Sequence, residues 1–270
     1  MKLKLKLKLK FDKEKWKNIS KYIVCALLIV GFSVLHFYAI QWGQSLHVKK
    51  ISIEGNTQLH REEVLSLLQM KRDSLLMEFN TEQMQNSLLK HSWISSAEIT
   101  RMFPSELQIV ISERTPIAML TGTETFYVDS DGVVLKELEG RKPFDVPIIS
   151  SASGSQKISY GEIIPRQLNS SLRVANIVFN EHKDVYHLLS EIHTDENGDV
   201  VLYTFDGAIP ILLGKNEMQE KLWNVAEFWK TKMRNISPYY LLSVDARFKE
   251  RIVVKWKSNE AQSLSNGVKS

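Results

Sequence analysis

The sequence predicts an α+β protein: two folded parts hung on a single helix of membrane length, the second part β-rich and ending in an edge strand. Three observations lead there. A nineteen-residue run near the start carries no formal charge, a strand–helix–helix–strand–strand pattern follows it, and the remainder alternates apolar residues between turn pairs. The 270 residues allow about two domains at roughly 100–200 each. With 43% apolar and 24% charged residues, usage is that of a globular chain, which excludes wholesale disorder and collagen-like repeats. The single cysteine, Cys25, excludes a disulfide scaffold and any Cys-rich zinc or iron–sulfur site.

The net charge of +4 is unevenly spread. Residues 1–21 hold nine lysines against Asp12 and Glu14, a local charge of +7, which leaves −3 on the rest. A mildly acidic body argues against nucleic acid as a partner. Residues 22–40 read YIVCALLIVGFSVLHFYAI. As a helix at about 1.5 Å per residue they span about 28 Å, close to the ~30 Å hydrocarbon core of a bilayer. Tyr22 stands at one end, and Tyr38 and Trp42 near the other, where amphipathic rings prefer the headgroup level. The run is longer than a signal peptide's apolar core, and Gly43 and Ser45 make a poor cleavage site. The expectation is an uncleaved anchor over 22–41, with the basic tail 1–21 cytoplasmic by the positive-inside rule and the remainder outside.

After a short linker, VKKISIEGN predicts a strand and a Gly55-Asn56 turn. In the next segment Val64, Leu67 and Leu68 share one helical face. A second helix begins near Asn80, where Asn80 and Gln83 have capping-box spacing, and Met84 and Leu88 form its inner stripe. Ala97 and Ile99 then lead into the turn MFPSEL. Leu107, Ile109 and Ile111 alternate with Gln108, Val110 and Ser112 as a half-buried strand. This module, 48–116, closes at Glu113-Arg114-Thr115-Pro116. Residues 117–257 form the β-rich part. A hairpin turns at 129–132, another at Asn197-Gly198, and serines at 150–155 mark a surface loop. Residues 168–179 are helical with Leu172, Ala175 and Phe179 in register, and 217–233 are helical with Met218, Leu222, Val225 and Trp229. YYLLSVDARFKERIVVKW supplies two last strands, and the polar tail 258–270 is expected to be disordered.

Taken in this order, the chain resembles the FtsQ/DivIB family of bacterial cell-division proteins over roughly residues 1–257. The segments that carry the resemblance are the basic tail and anchor, VKKISIEGN with the Glu62-Glu63-Val64 helix, and 101–107 followed by Glu113-Arg114-Thr115-Pro116-Ile117-Ala118. Tyr127-Val128-Asp129 with Gly132, LLGKNEMQEKLWNVAEFW and VDARFKERIVVKW complete it. The resemblance implies that 48–116 is a polypeptide-transport-associated (POTRA) module and 117–257 the family's β domain. It implies a scaffold without cofactor in the inner membrane at the division septum, holding the coiled-coil partners FtsB and FtsL. The rival readings are a POTRA-bearing component of a secretion or outer-membrane assembly route, and a membrane-anchored cell-wall enzyme.

The candidates for chemistry are few. Ser87-Leu88-Leu89-Lys90 matches the S-x-x-K of penicillin-binding enzymes, but K-T-G is missing, and Leu88 and Leu89 on a core-facing helix explain the spacing more simply. Asp129-Ser130-Asp131-Gly132 resembles a calcium loop, yet Val134 and Gly140 stand where an EF-hand needs Gly and Glu. His182, His187 and His193 have no H-E-x-x-H spacing. No catalytic, cofactor or metal residue is therefore expected. The binding expectation falls on the last strand. Ile252, Val254 and Trp256 should point to one face, Val253 and Lys255 to the other, and its open edge can accept a partner's strand. The resemblance places the partner contact on Arg247, Phe248, Lys249, Glu250, Arg251 and Trp256, with Val253 and Val254 in the paired strand. Arg247 is suited to a bidentate contact with a partner carboxylate, and Phe248 and Trp256 to anchoring. Where the family often carries small residues or glycine, this chain has Lys249-Glu250-Arg251.

Overall fold

The structure, a computed structural model, describes residues 13–44, 46–70, 75–121, 124–152 and 158–257. The first part of the lysine tail, Ser45, part of the serine run and the polar tail from Ser258 lie outside the described residues. Helix α1 (Lys13–Gln44) contains the segment Ser20–Trp42, 23 residues with mean hydropathy 2.4, long and apolar enough to cross a membrane. The side chains from Ser20 to Trp42 are all exposed, the condition of a helix whose apolar surface a bilayer would cover.

Then come β1 (Lys50–Glu54), α2 (Arg61–Leu68), α3 (Thr81–Leu89), β2 (Ile94–Met102) and β3 (Glu106–Glu113), the predicted order of the module. Their sheet runs β1-β3-β2, with β1 parallel to β3 in the register Lys50↔Glu106 to Glu54↔Val110. The predicted periods hold. Leu107, Ile109 and Ile111 are buried while Val110 is exposed, and Val64, Leu68, Met84 and Leu88 face inward on the helices. Asn80 caps α3, its side-chain oxygen accepting the Gln83 N–H at 3.0 Å. One expectation fails: Leu89 is 41% exposed, so of the two leucines behind Ser87 only Leu88 faces the core. Gly55 is required as glycine: its φ is +84°, and a Cβ there would overlap the Ile111 carbonyl oxygen.

By contact the chain divides into two compact units, Met1–Glu54 with Arg61–Gln85 and Glu98–Val110, and Gly55–His60 with Asn86–Ala97 and Ile111–Ser270, so far as these are described. The second unit is built on β4 (Pro116–Thr121), β5 (Thr125–Asp129), β6 (Val134–Lys136), β7 (Ile148–Ser151), α4 (Asn169–Glu181), α5 (Lys183–Tyr186), β8 (Leu189–Thr194), β9 (Val200–Thr204), β10 (Pro210–Gly214), α6 (Met218–Thr231), β11 (Leu241–Asp245) and β12 (Val253–Trp256). Its nine strands form one sheet in the order β12-β11-β10-β9-β8-β7-β4-β5-β6. A continuous apolar core joins the sheet to the helices, with Val174, Ala175 and Val178 of α4 and Leu222 and Val225 of α6 at its centre.

The most buried face of α4 is Ser171, Val174, Ala175 and Val178, and the predicted Leu172 and Phe179 pack half-buried against the same core. The polar Ser171 belongs to the core face because its hydroxyl pairs with that of Thr194 at 2.6 Å. Ser150 and Ser151 are not loop but the end of β7, paired in parallel with His193 and Thr194. Serine composition signals a loop only where neighbouring strands do not take up the backbone. The 129–132 turn behaves as turn chemistry requires: buried Asp129 accepts the N–H groups of Asp131 and Val133 at 3.0 and 2.8 Å and holds Arg114 at 2.5 Å. Its neighbour Glu113 accepts from the Thr57 hydroxyl and from the N–H groups of Gln58 and Leu59. The Glu113-Arg114 pair thus fixes two backbone segments at once.

Candidate partner-binding edge

Among the described residues strand β12 has one neighbour in the sheet, β11, and pairs with it antiparallel from Leu241↔Trp256 to Asp245↔Val253, across a bulge at Leu242. Which main-chain groups remain on its free side follows from alternation. Lys257 donates its N–H to Tyr240 O at 2.9 Å, so the N–H groups of Lys255 and Val253 also face β11. On β11, Ala246 donates to Leu212 O of β10 at 2.9 Å, which turns Ser243 and Asp245 toward β12, in agreement. The N–H and C=O groups of Val254 and Trp256 therefore lie on the open edge.

The side chains alternate as expected. Ile252, Val254 and Trp256 are half-buried against the core, and Val253 and Lys255 are exposed on the other face. An edge strand covers only one flank of its inward side chains, and an added strand would cover the other. Trp256 thus has both roles weighed for it: part of the core, and a surface at the edge.

The connection 246–252 is held at five points. Buried Ala246 anchors it. Arg247 donates from Nε and Nη2 to the two oxygens of Asp245, at 2.9 and 2.6 Å. Asn224 Nδ2 donates to Lys249 O at 3.2 Å, and Lys249 Nζ stands 3.7 Å from Glu217 Oε1 at the start of α6. The Arg251 guanidinium lies over the Phe248 ring at 5.3 Å, with Phe248 42% exposed. These tethers to α6 are what hold a turn made of Lys249-Glu250-Arg251 in place of glycine. Arg247's hydrogen bonds hold the Asp245 carboxyl below its ordinary range against the opposing effect of burial, and Asp245 in turn raises the Arg247 guanidinium.

The structure thus gathers Arg247, Phe248, Lys249, Glu250 and Arg251 in one turn and Val253, Val254 and Trp256 in the strand after it. The bidentate face of Arg247 already engages Asp245 within the chain, which leaves its remaining Nη donors for another group. Sequence reasoning gave no role to Asn224 or Glu217, and placed Asp245 only as the first residue of the expected interface stretch, 245–256. Only the D-x-R spacing of Asp245 and Arg247 signalled any of these. It also missed Leu242, 54% exposed at the bulge, and Tyr239, whose ring takes Lys257 Nζ at 4.5 Å.

One polar cluster elsewhere resembles catalytic machinery. Ser150 Oγ donates to Glu191 Oε1 at 2.5 Å and lies 2.6 Å from His193 Nδ1. A nucleophilic relay needs the acid on the far nitrogen of the base. Here Glu191 binds the serine itself and stands 3.8 Å from that same Nδ1, so the three side chains form a cross-strand hydrogen-bond cluster on β7 and β8.

A helix of membrane length, a small three-stranded mixed module and a nine-stranded sheet define a membrane-anchored α+β protein. Residues 46–114 match the description POTRA domain, FtsQ-type, and residues 115–255 match FtsQ/DivIB, C-terminal related; the chain belongs to the FtsQ/DivIB family of cell-division proteins. Among curated relatives, the cell division protein FtsQ of Syntrophotalea carbinolica is 28% identical over 216 residues, covering 79% of this chain and 75% of that protein. FtsQ of Geotalea daltonii is 26% identical over 250 residues, covering 88% and 87%. The major extracytoplasmic domain of the cell division protein DivIB from Geobacillus stearothermophilus aligns at a TM-score of 0.29 and 18% identity, over 47% of this chain and 99% of that one.

Proposed function

We propose that this protein is a non-catalytic scaffold of the bacterial division complex, taking FtsB/FtsL-like coiled-coil partners by strand addition to β12. The observation that carries the reading is the open edge at Val254 and Trp256, flanked by Phe248, Val253 and Leu242 as exposed apolar contacts. A partner strand would gain main-chain hydrogen bonds there, while alternate side chains complete the half-buried row Ile252, Val254 and Trp256 on one face and meet Val253 and Lys255 on the other. Arg247, oriented by Asp245, offers its outer donors to a partner acid, and Lys249, Glu250 and Arg251 form the charged rim. In this reading 48–116 and 117–257 are the working domains, the lysine tail lies in the cytoplasm, and the folded units lie outside it at the septum.

Affinity capture with the solubilised full chain tests the proposal. The expected result is recovery of the coiled-coil division proteins, lost on Val254→Pro. Retention of those partners at unchanged affinity by a folded Val254→Pro chain would place the interface elsewhere. Orientation is tested separately with a reporter fused after Ser270, expected to be active only outside the cytoplasm. Absence of catalysis is tested with Ser87→Ala and Ser150→Ala, both expected to preserve division.

A further inference from the structure

The first unit exposes apolar side chains where the chain leaves its anchor. Lys49 follows Gln44, the end of α1, by five residue steps, a reach of at most about 17 Å at roughly 3.5 Å per residue. Both Lys49 and Lys50 donate their N–H to Ser105 O, at 2.8 and 3.3 Å. Because β1 and β3 are parallel with Lys50 opposite Glu106, the loop between β2 and β3 lies at the anchor end of the sheet. Met102 at the end of β2 and Phe103 in that loop are 46% and 61% exposed. A second loop meets the linker directly. Leu76 donates to Leu46 O at 2.7 Å, Leu75 bridges to His47, and the adjoining Met77 is 56% exposed.

Apolar residues scattered singly over a surface are ordinary. Three at two loops, both tied to a linker this short, are at the one place on this unit that cannot move far from the end of α1. We propose that the Phe103 loop and the Met77 turn form a membrane-contact face, seated in the headgroup layer of the bilayer that α1 enters. Phe103, Met102 and Met77 enter the apolar boundary, and the Lys49 ammonium lies at the level of the lipid phosphates, beside the Lys50–Glu106 ion pair at 2.7 Å. Such a contact would fix the tilt of the unit on its linker. The inference rests on α1 being a membrane anchor.

The test uses the full chain in vesicles of phosphatidylcholine and phosphatidylglycerol, with no other protein present. An environment-sensitive fluorophore is placed by thiol chemistry at Phe103→Cys or Met77→Cys in a Cys25→Ser background. The control is Glu54→Cys at the far end of β1, about 13 Å further along at roughly 3.3 Å per residue. Native Cys25, labelled in the otherwise unaltered chain, reports on the anchor. The expected result is blue-shifted emission at 103 and 77, with several-fold stronger quenching by lipid-borne nitroxide than at 54, and with Cys25 quenched as well. If 103 and 77 behave like 54 while Cys25 is quenched, the anchor stands and the contact face is overturned. A face reserved for a protein partner would give that same aqueous signal. If Cys25 is not quenched, the anchor fails and the contact face fails with it. Unchanged thermal unfolding of the labelled chains guards against local disruption.

Discussion

The two edges of the nine-stranded sheet are treated in opposite ways. At β6 every outward main-chain group in the strand is taken: Val134 donates to Glu162 O and accepts from Gly161, both at 2.8 Å, while Lys136 receives the Trp93 indole N–H at 2.6 Å and faces the Ser92 hydroxyl at 3.5 Å. Next to it, Ile164 donates to Gly132 O, and Val133 bridges to Ile163. At β12 the corresponding groups of Val254 and Trp256 have no backbone partner among the described residues. Unpaired edges invite association, and proteins usually cover or blunt them. One edge is thus closed by main-chain and side-chain cover, while the other is short, open among the described residues and flanked by exposed Phe248 and Val253, the contrast on which the proposed partner contact rests.

The sharpest way to break the contrast is a proline on the open side. Val254→Pro removes a donor that points away from β11, so the fold should survive while partner capture falls below detection. Val253→Pro removes a donor that faces β11 and should lose stability along with binding. Capture assays run beside thermal unfolding separate the two. Equal destabilisation by both would mean the alternation assigned to β12 is wrong.

On the closed side, Trp93→Ala should produce the largest loss of stability. Its ring is fully buried, stacks on Phe144 with centroids 5.6 Å apart, and caps the edge through its indole. Removing a buried aromatic costs about 3–5 kcal/mol, to which the orphaned Lys136 carbonyl adds. Denaturant unfolding measures this. A loss near zero would show that β6 does not need its cover.

Side chains at the open edge should matter less than its backbone. Phe248→Ala and Trp256→Ala are each expected to weaken partner binding by about 2 kcal/mol. Half-buried Trp256 should also lower the melting temperature, whereas exposed Phe248 should leave it unchanged. Calorimetric titration with a partner peptide, alongside melting curves, tells anchor from core.

Much of this contrast was legible in the sequence, and the illegible part has a physical cause. The order β1-α2-α3-β2-β3, the two hairpin turns, α6 and the terminal strand all rest on periodicity or turn chemistry, which are local. The alternation at Leu107, Ile109 and Ile111, the Asn80 cap and the face shared by Ile252, Val254 and Trp256 emerged as read. Strand β7 did not, because Ile148–Ser151 is four residues ending in two serines and is strand only by virtue of β4 and β8 on either side. The cover over β6 was equally hidden: Trp93 and Gly161 are distant in sequence from Lys136 and Val134, and no local pattern announces a long-range cap. At the site, the edge strand and its residues were legible. The Asp245–Arg247 pair and the tethers of Lys249 to α6 were not, since they depend on where side chains meet.

The smallest effect expected is on the pair that shapes the turn into the open edge. Asp245 accepts two hydrogen bonds from the Arg247 side chain and one, at 3.1 Å, from its backbone N–H. Those bonds depress the folded-state pKa of the carboxyl, so their stabilisation is fully present above the ordinary aspartate value of about 4 and is lost as pH falls through the lower folded value. Asp245→Asn should therefore lower the melting temperature modestly at neutral pH, and the gap from the unaltered chain should close once pH drops below the ordinary carboxylate range. A gap that persists in acid would mean the asparagine disturbs packing instead of removing a charge pair. Arg247→Glu sets two carboxylates against each other in the same turn, and should loosen it most at neutral pH and least in acid. If Asp245 serves to hold Arg247 toward a partner, both variants should weaken binding at neutral pH more than they weaken the fold. Binding unchanged in Asp245→Asn and Arg247→Glu would reduce the pair to a brace for the turn and leave recognition to the β12 backbone and its aromatic neighbours.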